Sequence, residues 1–557
     1  MRKLAVLALA LSLAVPLASA DAIDDLGRDF WAWRATTQPF SGDDIPRIER
    51  PDGWKADWSP AAITTQRRAL AGFEQRWGKI PPQTDRAREV DRRLLGSAIM
   101  RVKWELDVLC AWQRNPRFYN AQTIGALFDA LIVQPPFGQT RSDEIVRRLE
   151  SVPAILGDAR QNLTDPAAPF ARVALLELKD IRPRLLAVAR ELKPAVAPEA
   201  AVRLEPAMER AIVALESYAG WLQQRLPQMS QKTAIGGDNY VWFLKNVALL
   251  PYAPEQLLQI GRLEWARSVA FEDLEHHRDR GLPDLKLAPS AEAQIKREAG
   301  DELAVRQYFH EFGILDLPDW LQHYRNLPMP RYLAPLSSVG VTDDLTSPTR
   351  LKENGVRYLP PPAPDIGYFA VINAKDPRTS IVHEGVHYMQ MAWSWAHEDL
   401  IRRHYYDSGA NEGIAFYNEE MMVQAGLFDD SPRTREIIYN MARLRALRVE
   451  VDVKLALGQF TIEQGAEYLS TTVPMDAETA HDEAAFFASD PGQAISYQIG
   501  KAQILGFLAQ ARRKEGDSFL LNRFHDFVWK NGNVPIALQK YEYLGDKADL
   551  DAVERLH

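Results

Sequence analysis

Two histidines separated by three residues set the strongest constraint on how this chain folds. Within residues 381–387, the two imidazoles share one side only if the segment is helical, because side chains four positions apart lie one turn above each other. His383 and His387 can then hold one metal ion, and Glu384 points beside it. Zinc peptidases use this spacing, with the glutamate accepting a proton from the attacking water. A polar helix face without a metal is the alternative.

A catalytic zinc site normally has three protein ligands, so the motif needs a third donor from another element. Residues 408–420 predict a second helix, and Glu412 comes twenty-five positions after His387, enough for one helix to end and another to return. The Asn-Glu-Gly-Ile-Ala stretch around Glu412 resembles the Asn-Glu-Gly-Phe-Ala of zinc aminopeptidases. We therefore expect Zn²⁺ to be bound by His383, His387 and Glu412.

Two further kinds of side chain would support such a site. Glu419 follows Glu412 by two turns on the same face, where its carboxylate could orient a ligand imidazole. Solvated helix charge is the alternative for Glu419 and for Glu420. Residues 490–500 predict a turn and a helix start, which makes Tyr497 a candidate donor to the oxyanion formed during attack on a carbonyl. Weaker candidates for that role are His481, Tyr417 and Lys501, whereas His276, His277 and His397 lack a ligand-spaced carboxylate and are expected on helix surfaces.

The N-terminus has the composition of a secretion signal. Residues 1–20 run from a basic pair through an apolar stretch to small residues, which predicts cleavage after Ala20. No lipid-anchor cysteine follows, and the single cysteine, Cys110, cannot form an intramolecular disulfide. No later apolar run is long enough to span a bilayer. We expect a periplasmic protein, with extracellular release as the alternative.

The apolar pattern predicts a mainly α-helical fold. Between Arg443 and Leu457, apolar residues recur every three to four positions, which is typical of a core-facing helix. Ser59-Pro60 predicts a helix start, and residues 461–464 form a capping box. Similar periodicity covers most of residues 60–310.

The same pattern indicates one interlocked domain rather than separate domains on linkers. We expect it to span residues 21–557, with an N-terminal helical half at 21–240 and a metal-site half at 241–557. The formal net charge of −9 is small for 557 residues, and no dense Lys/Arg block stands out. Nucleic-acid binding is therefore not expected.

One segment directly before the motif interrupts the helical pattern. The proline run from Pro360 to Pro364 cannot be helical. Gly367–Asn373 is rich in β-branched and aromatic residues, which predicts a strand and hence a small β element ahead of the motif helix. In zinc peptidases such a strand borders the cleft and pairs with the extended substrate. A buried strand of a small structural sheet is the alternative.

Several later segments carry a resemblance to a known family, bacterial proteins of the domain-of-unknown-function family DUF885. The likeness is spread over residues 250–540, while 21–240 match only in helical character. The family resembles helical zinc carboxypeptidases and angiotensin-converting-type dipeptidases. That implies a helical fold with a cleft between two halves, a glutamate-ligand zinc site and a tyrosine that assists the oxyanion, here Tyr497. The similar segments are residues 254–261, 412–417, 491–497 and 524–535.

The chain departs from that family pattern in two places. Family members usually carry Pro-Gly before the second histidine, whereas residues 384–387 keep the uninterrupted spacing of zinc peptidases. An arginine common in relatives shortly before Pro491 is replaced near Phe486. If that arginine contacts a substrate carboxylate in relatives, the resemblance implies a different specificity here.

These observations predict a zinc-dependent peptidase that hydrolyses short peptides in the cell envelope. Glu384 is the expected proton acceptor and Tyr497 the expected oxyanion donor. Two alternatives remain open: a metal-dependent hydrolase of a non-peptide amide or ester, and a helical binding protein that keeps zinc for stability. Comparing the activity of apo and zinc-loaded protein on a peptide library separates these readings.

Overall fold

The computed structural model describes residues 21–41 and 48–556 of the chain. The predicted signal peptide, residues 1–20, therefore lies outside the described residues. The described part is mainly helical with one small sheet, as the apolar periodicity predicts. None of its helices combines the length and the apolar character needed to cross a bilayer.

Within the described residues, thirteen α-helices precede the first strand. Local sequence explains where several begin: Ser59 caps the second helix by accepting a hydrogen bond from the Ala62 N–H at 3.2 Å, and Pro60 takes the first helical position, as predicted. Two short π-helical segments, Trp104–Leu109 and Ala121–Gly125, interrupt the series. The helices are α1 (Ala22–Thr37), α2 (Pro60–Trp77), α3 (Arg86–Lys103), α4 (Ala111–Arg114), α5 (Pro116–Asn120), α6 (Ala126–Leu131), α7 (Gln139–Asn162), α8 (Ala168–Glu177), α9 (Ile181–Leu192), α10 (Pro198–Arg225), α11 (Gly237–Asn246), α12 (Pro254–Asp279) and α13 (Ala291–Glu311).

A three-stranded sheet follows α13 and ends just before the proline run. Its strands are β1 (Tyr324–Pro328), β2 (Asp343–Asp344) and β3 (Gly355–Leu359). The central strand β3 pairs in parallel with β1, with Tyr324 opposite Gly355, and antiparallel with β2. The small β element ahead of the motif therefore exists, but it is formed by other residues than predicted.

The prediction of a strand at Gly367–Asn373 is wrong, because this segment begins a helix. Gly367 adopts a φ of +88° and ends the extended chain, and residues 368–375 then form one short helix. A short apolar run has no periodicity that separates a strand from a buried helix. Packing decided the outcome, because Tyr368 and Ile372 pack against a core cluster that also contains Val382 and Val386. Because this segment is a helix, the expected pairing of an extended substrate with a strand at 367–373 is wrong as well.

After the sheet, the described part of the chain consists of helices and their connections. The capping box at residues 461–464 is confirmed, with the Gln464 N–H donating to Thr461 Oγ1 at 3.2 Å. The predicted helix across Arg443–Leu457 lies inside a longer helix whose buried positions include Leu444, Leu447 and Val451. The helices are α14 (Tyr368–Lys375), α15 (Arg378–Ile381), α16 (Glu384–Ala396), α17 (Leu400–His404), α18 (Ser408–Ala425), α19 (Pro432–Ala456), α20 (Ile462–Thr472), α21 (Ala477–Ser489), α22 (Ser496–Glu515), α23 (Leu521–Lys530), α24 (Ile536–Leu544) and α25 (Ala548–Glu554).

Three helix pairs in the second half frame the site. Helix α12 packs along α19, α18 crosses α22, and α16 packs against α18. The two halves also share a core, because Phe30 and Leu94 from the first half cluster with Ile401 and Leu538 from the second. The helices that carry the motif residues are thus held by buried contacts from both halves.

Candidate metal centre

The two motif histidines lie where α15 ends and α16 begins. His383 is the residue before the first turn of α16, and its carbonyl accepts the N–H of His387 at 3.1 Å. That single helical turn brings the two imidazoles to the same side, with ring centroids 4.8 Å apart and ring planes at 83°. Both side chains are buried. The local spacing therefore produces the predicted pair of facing imidazoles.

Glu412 reaches the same point from α18. Its Oε2 lies 3.4 Å from His383 Nε2 and 3.3 Å from His387 Nε2, and the residue is fully buried. Asp407 caps the helix by accepting the Ala410 N–H at 2.9 Å, so that α18 begins about one turn before Glu412. The structure thus brings together the three residues predicted as metal ligands.

Buried polar atoms at this point lack partners within the protein. Among the described residues, neither carboxylate oxygen of Glu412 and neither ring nitrogen of His387 has a hydrogen bond of acceptable geometry. Buried polar groups are nearly always satisfied, so these atoms are donors left over for a ligand from outside the protein.

The spacing of these donor atoms fits a tetrahedral cation. Zinc bonds of about 2.0–2.2 Å place tetrahedral donors about 3.3–3.6 Å apart. The separations of 3.3 and 3.4 Å from Glu412 to the two imidazoles fall in that range. Two imidazoles and a carboxylate are also a donor set that zinc accepts, so the residues present fit the ion.

Glu384 lies beside this cluster and remains partly accessible. Its carboxylate and the two imidazoles each offer an atom within 4.8 Å of the others, and its side chain is 24% exposed. Arg357 of β3 places Nη1 3.5 Å from Glu384 Oε1. Burial raises the pKa of Glu384, but Arg357 and the two histidines outweigh it and hold that pKa below its usual range. Glu384 is therefore a carboxylate held ionised next to the candidate metal position.

Arg357 was not among the site residues predicted from sequence. Its only signal is a single charge in an otherwise apolar strand, and nothing in the order of residues indicates that β3 runs past the start of α16. Arg357 also hydrogen-bonds Ser380, and Asp343 of β2 lies 4.0 Å from its Nε. The sheet therefore supplies one charged side chain to the site.

Glu419 contacts the ring nitrogen of His383 that faces away from Glu412, as the helical spacing predicts. Its Oε1 lies 2.6 Å from His383 Nδ1, which leaves Nε2 facing Glu412. Arg445 of α19 contacts the same Oε1 at 2.8 Å. Burial and Arg445 lower the pKa of His383, but Glu419 and Glu412 outweigh them and raise it to about 9.

The alternative of solvated helix charge is wrong for both glutamates. Glu419 is fully buried, and Glu420 pairs with Arg267 at 2.6 Å and with Lys501 at 2.8 Å. Glu420 belongs to a partly buried ion-pair cluster away from the imidazoles. The two neighbouring carboxylates therefore have different surroundings and different partners.

Tyr497 lies at the start of α22, next to His383. The two rings are nearly parallel, with centroids 6.3 Å apart. The Arg448 guanidinium lies 4.6 Å from the centre of the Tyr497 ring and is itself paired with Glu483 at 2.6 Å. The predicted oxyanion donor is thus brought to the candidate centre, between an imidazole and a cation.

A buried aspartate holds the turn that precedes Tyr497. Asp452 of α19 accepts the N–H of Gly492 at 3.0 Å and of Ala494 at 2.8 Å, and the Tyr240 hydroxyl at 2.8 Å. Burial outweighs these hydrogen bonds and raises the pKa of Asp452 to about 7. The turn at 490–495 is therefore fixed by contacts that are distant in sequence.

Glycines allow α18 and α22 to cross at backbone contact. A Cβ on Gly413 would lie 2.6 Å from the Gly500 Cα, and one on Gly500 would overlap the Gly409 carbonyl oxygen. Gly413 directly follows Glu412, and Gly500 is three residues after Tyr497. The close crossing of α18 and α22 therefore limits the distance between Glu412 and Tyr497.

The other candidates do not reach the centre. Tyr417 contacts His525 Nε2 at 3.0 Å in the core, and Lys501 is bound by Glu420. His481 is partly exposed beside Asp482, and the His276 side chain is exposed against Glu436. Arg445 and Arg448 were missed because they interrupt the apolar positions of α19 and resemble ordinary surface charge in sequence.

Comparison with known proteins identifies the family. The family model of bacterial proteins of unknown function, DUF885, matches residues 40–273 and 322–540. The chain belongs to the DUF885 family. The match extends well into the N-terminal half, where residues 21–240 were expected to resemble the family only in helical character. Functionally curated proteins give no match.

Two solved structures share this DUF885 fold. One is described as a putative lipoprotein of unknown function from Shewanella oneidensis, with 16% identity, a TM-score of 0.68, and coverage of 94% of this chain and 98% of that one. The other is a putative lipoprotein from Colwellia psychrerythraea, with 16% identity, a TM-score of 0.70 and the same coverage. At this identity the likeness establishes the fold alone.

Proposed function

We propose that this DUF885 protein is a zinc-dependent peptidase that hydrolyses short peptides. The observation that carries the proposal is the convergence of His383, His387 and Glu412 at 3.3–3.4 Å between donor atoms that lack protein partners. Glu384 lies beside that convergence. Bound zinc would lower the pKa of a water molecule to about 7 and polarise the substrate carbonyl.

The protein's own groups then have distinct tasks. Glu384 accepts the proton of the attacking water and later delivers it to the leaving amine, as its position beside the imidazoles and its ionised state allow. Arg357 holds this carboxylate in place through the 3.5 Å contact. Tyr497 donates a hydrogen bond to the oxygen that gains charge during attack. Glu419 keeps His383 turned toward Glu412.

We further propose that the reaction takes place in the cell envelope. The signal-like composition of residues 1–20 supports this location. Both structural neighbours are described as putative lipoproteins, a class that is attached to envelope membranes. Substrates of such a peptidase would be short peptides able to enter an enclosed helical body.

Metal content and turnover of matched variants test the proposal. The purified protein should contain about one zinc per chain, and His383→Ala and Glu412→Ala should lose most of it. His276→Ala is the control, because that side chain is 63% exposed and remote from the cluster. Full zinc retention by Glu412→Ala would contradict the ligand assignment and move it to Glu419.

The variant Glu384→Gln distinguishes loss of the proton acceptor from loss of the metal ligands. The amide keeps the shape but cannot accept a proton, so zinc should stay bound while turnover falls by about 10²–10⁴-fold. Glu398→Gln, at an exposed position just after α16, should leave turnover unchanged. Normal turnover in Glu384→Gln would rule out this mechanism, and no cleavage of any peptide by zinc-loaded protein would favour an amide or ester hydrolase.

A further inference from the structure

Arg448 of α19 is an arginine that has no task in the proposed mechanism. Its side chain is buried, and its Nε and Nη2 donate to the two carboxylate oxygens of Glu483 at 2.7 and 2.6 Å. Two parallel hydrogen bonds of this kind fix the plane of a guanidinium as well as its position. Because Glu483 lies on α21, the pair joins two helices and holds the guanidinium at one point.

At that point the guanidinium lies against three aromatic rings. The ring centre of Tyr497 is 4.6 Å from Arg448 Cζ. The ring centres of Phe369 and Phe487 are each 5.6 Å from the same atom. A cation is attracted to an aromatic face within about 6 Å, and more strongly where water is excluded. Tyr497 is the nearest of these rings and the one that carries a hydroxyl, so the charge of Arg448 can act there on a reacting group.

Arg448 stays charged in these surroundings. Burial lowers its pKa, but Glu483, Tyr497 and Glu412 outweigh burial and raise that pKa. A positive charge beside a phenol draws electron density from the oxygen, which strengthens the hydrogen bond that the O–H donates. An oxyanion that forms during attack on a carbonyl gains most from a stronger donor, because it carries the new negative charge.

The second cation near Tyr497 is tied to the candidate metal centre. Arg445 Cζ lies 5.8 Å from the Tyr497 ring centre. However, Arg445 also contacts Glu419 at 2.8 Å and His383 Nδ1 at 3.4 Å. Arg448, in contrast, has no hydrogen bond or ion pair with a predicted metal ligand in the part of the chain that the structure describes. A change at Arg448 therefore perturbs Tyr497 without removing a contact of the metal ligands.

We infer that Arg448 is a positioning residue for Tyr497: its guanidinium holds the phenol ring and strengthens the hydrogen bond that the hydroxyl donates to the oxyanion. Glu483 in turn holds Arg448. The inference rests on the proposed peptidase function and adds to it a cation that acts through the oxyanion donor. Arg448 should therefore contribute to turnover only while the Tyr497 hydroxyl is present.

A double-mutant cycle in the zinc-loaded protein tests this dependence. Cleavage of one short peptide is measured in the wild type, Arg448→Gln, Tyr497→Phe and the double variant, together with zinc content and melting temperature. Glutamine removes the charge but can still donate a hydrogen bond to Glu483, so that carboxylate keeps a partner. Arg435→Gln is the control, because Arg435 lies on the same helix and pairs with Glu275 at 3.1 Å.

Arg448→Gln should lower kcat by about 10-fold at nearly unchanged KM and zinc content, less than the about 10²–10³-fold cost of removing a whole oxyanion donor. In the Tyr497→Phe background the same change should alter kcat by less than about 2-fold, because the two residues act as a unit. Arg448→Lys keeps the charge without the planar fork. Its smaller loss should also disappear with Tyr497→Phe, which provides the test if Arg448→Gln does not fold. Arg435→Gln should leave kcat unchanged in both backgrounds.

An equal loss of kcat from Arg448→Gln in both backgrounds overturns the inference, because Arg448 then acts without the hydroxyl. A lower melting temperature at normal kcat would make Arg448 structural, and loss of zinc would assign it to the metal centre. Normal kcat in Tyr497→Phe overturns the inference as well. If the wild type cleaves no peptide at all, that separate result refutes the peptidase proposal, and the role of Arg448 with it.

Discussion

Replacing Gly500 by alanine tests whether the backbone crossing of α18 and α22 positions the candidate centre. The new Cβ would lie 2.7 Å from the Gly413 Cα, and it would also overlap the Gly409 carbonyl oxygen. Ordinary contact begins near 3.4 Å, and both neighbours are backbone atoms that cannot rotate away. The helices must therefore separate by about 0.7 Å or more, the difference between these distances, which is typical of an overpacked core.

The size of this displacement predicts a small loss of stability and a large loss of zinc affinity. Overpacking of this kind costs about 1–3 kcal/mol. For a chain of this length that corresponds to a change of about 1–3 °C in melting temperature. Metal ligands must lie within about 0.2 Å of their proper distance. Because Glu412 precedes Gly413, a shift of about 0.7 Å should weaken zinc binding by about 10-fold or more.

Gly506→Ala is the matched control on the same helix. No atom lies within 4 Å of a Cβ built there, so this variant should bind zinc like the wild type and be stabilised by about 0.5–1 kcal/mol. Zinc affinity by competition with a chelator, and melting by circular dichroism, provide the two measurements. If Gly500→Ala binds zinc as tightly as Gly506→Ala, the crossing does not position Glu412.

Two further predictions concern Tyr497 and the turn before it. Tyr497→Phe should lower kcat by about 10²–10³-fold while KM and melting temperature change little, whereas a loss of stability at normal kcat would make the residue structural. For Asp452, burial raises the pKa in the folded state to about 7, from 3.8 in the unfolded state. The folded state therefore holds the proton more tightly, and the free energy of unfolding falls as pH rises from about 4 to 7. The stability advantage of the wild type over Asp452→Asn in urea titrations should therefore shrink across that range, and a constant advantage would contradict the assigned pKa.

Features governed by neighbouring residues were predictable from sequence. The four-residue spacing of His383 and His387 requires only one helical turn, and the caps at Ser59 and Thr461 satisfy backbone N–H groups within three residues. Glu419 also followed from its spacing of two turns after Glu412, and these predictions depend on geometry that a helix imposes on its own side chains. Glu412 itself was predicted from its distance after His387 and from the resemblance of its surrounding residues to zinc aminopeptidases.

Features that depend on packing between distant segments were decided only by the tertiary structure. Residues 367–373 have strand-forming side chains, yet they fold as a helix because core contacts outweigh a weak local preference. Arg357 meets Glu384 only because the sheet packs beside α16, and Gly500 meets Gly413 only because two helices cross there. Sequence spacing determined which side chains share a helix face. The packing of helices and sheet determined which faces meet, because that choice depends on burying the apolar surface of the whole chain at once.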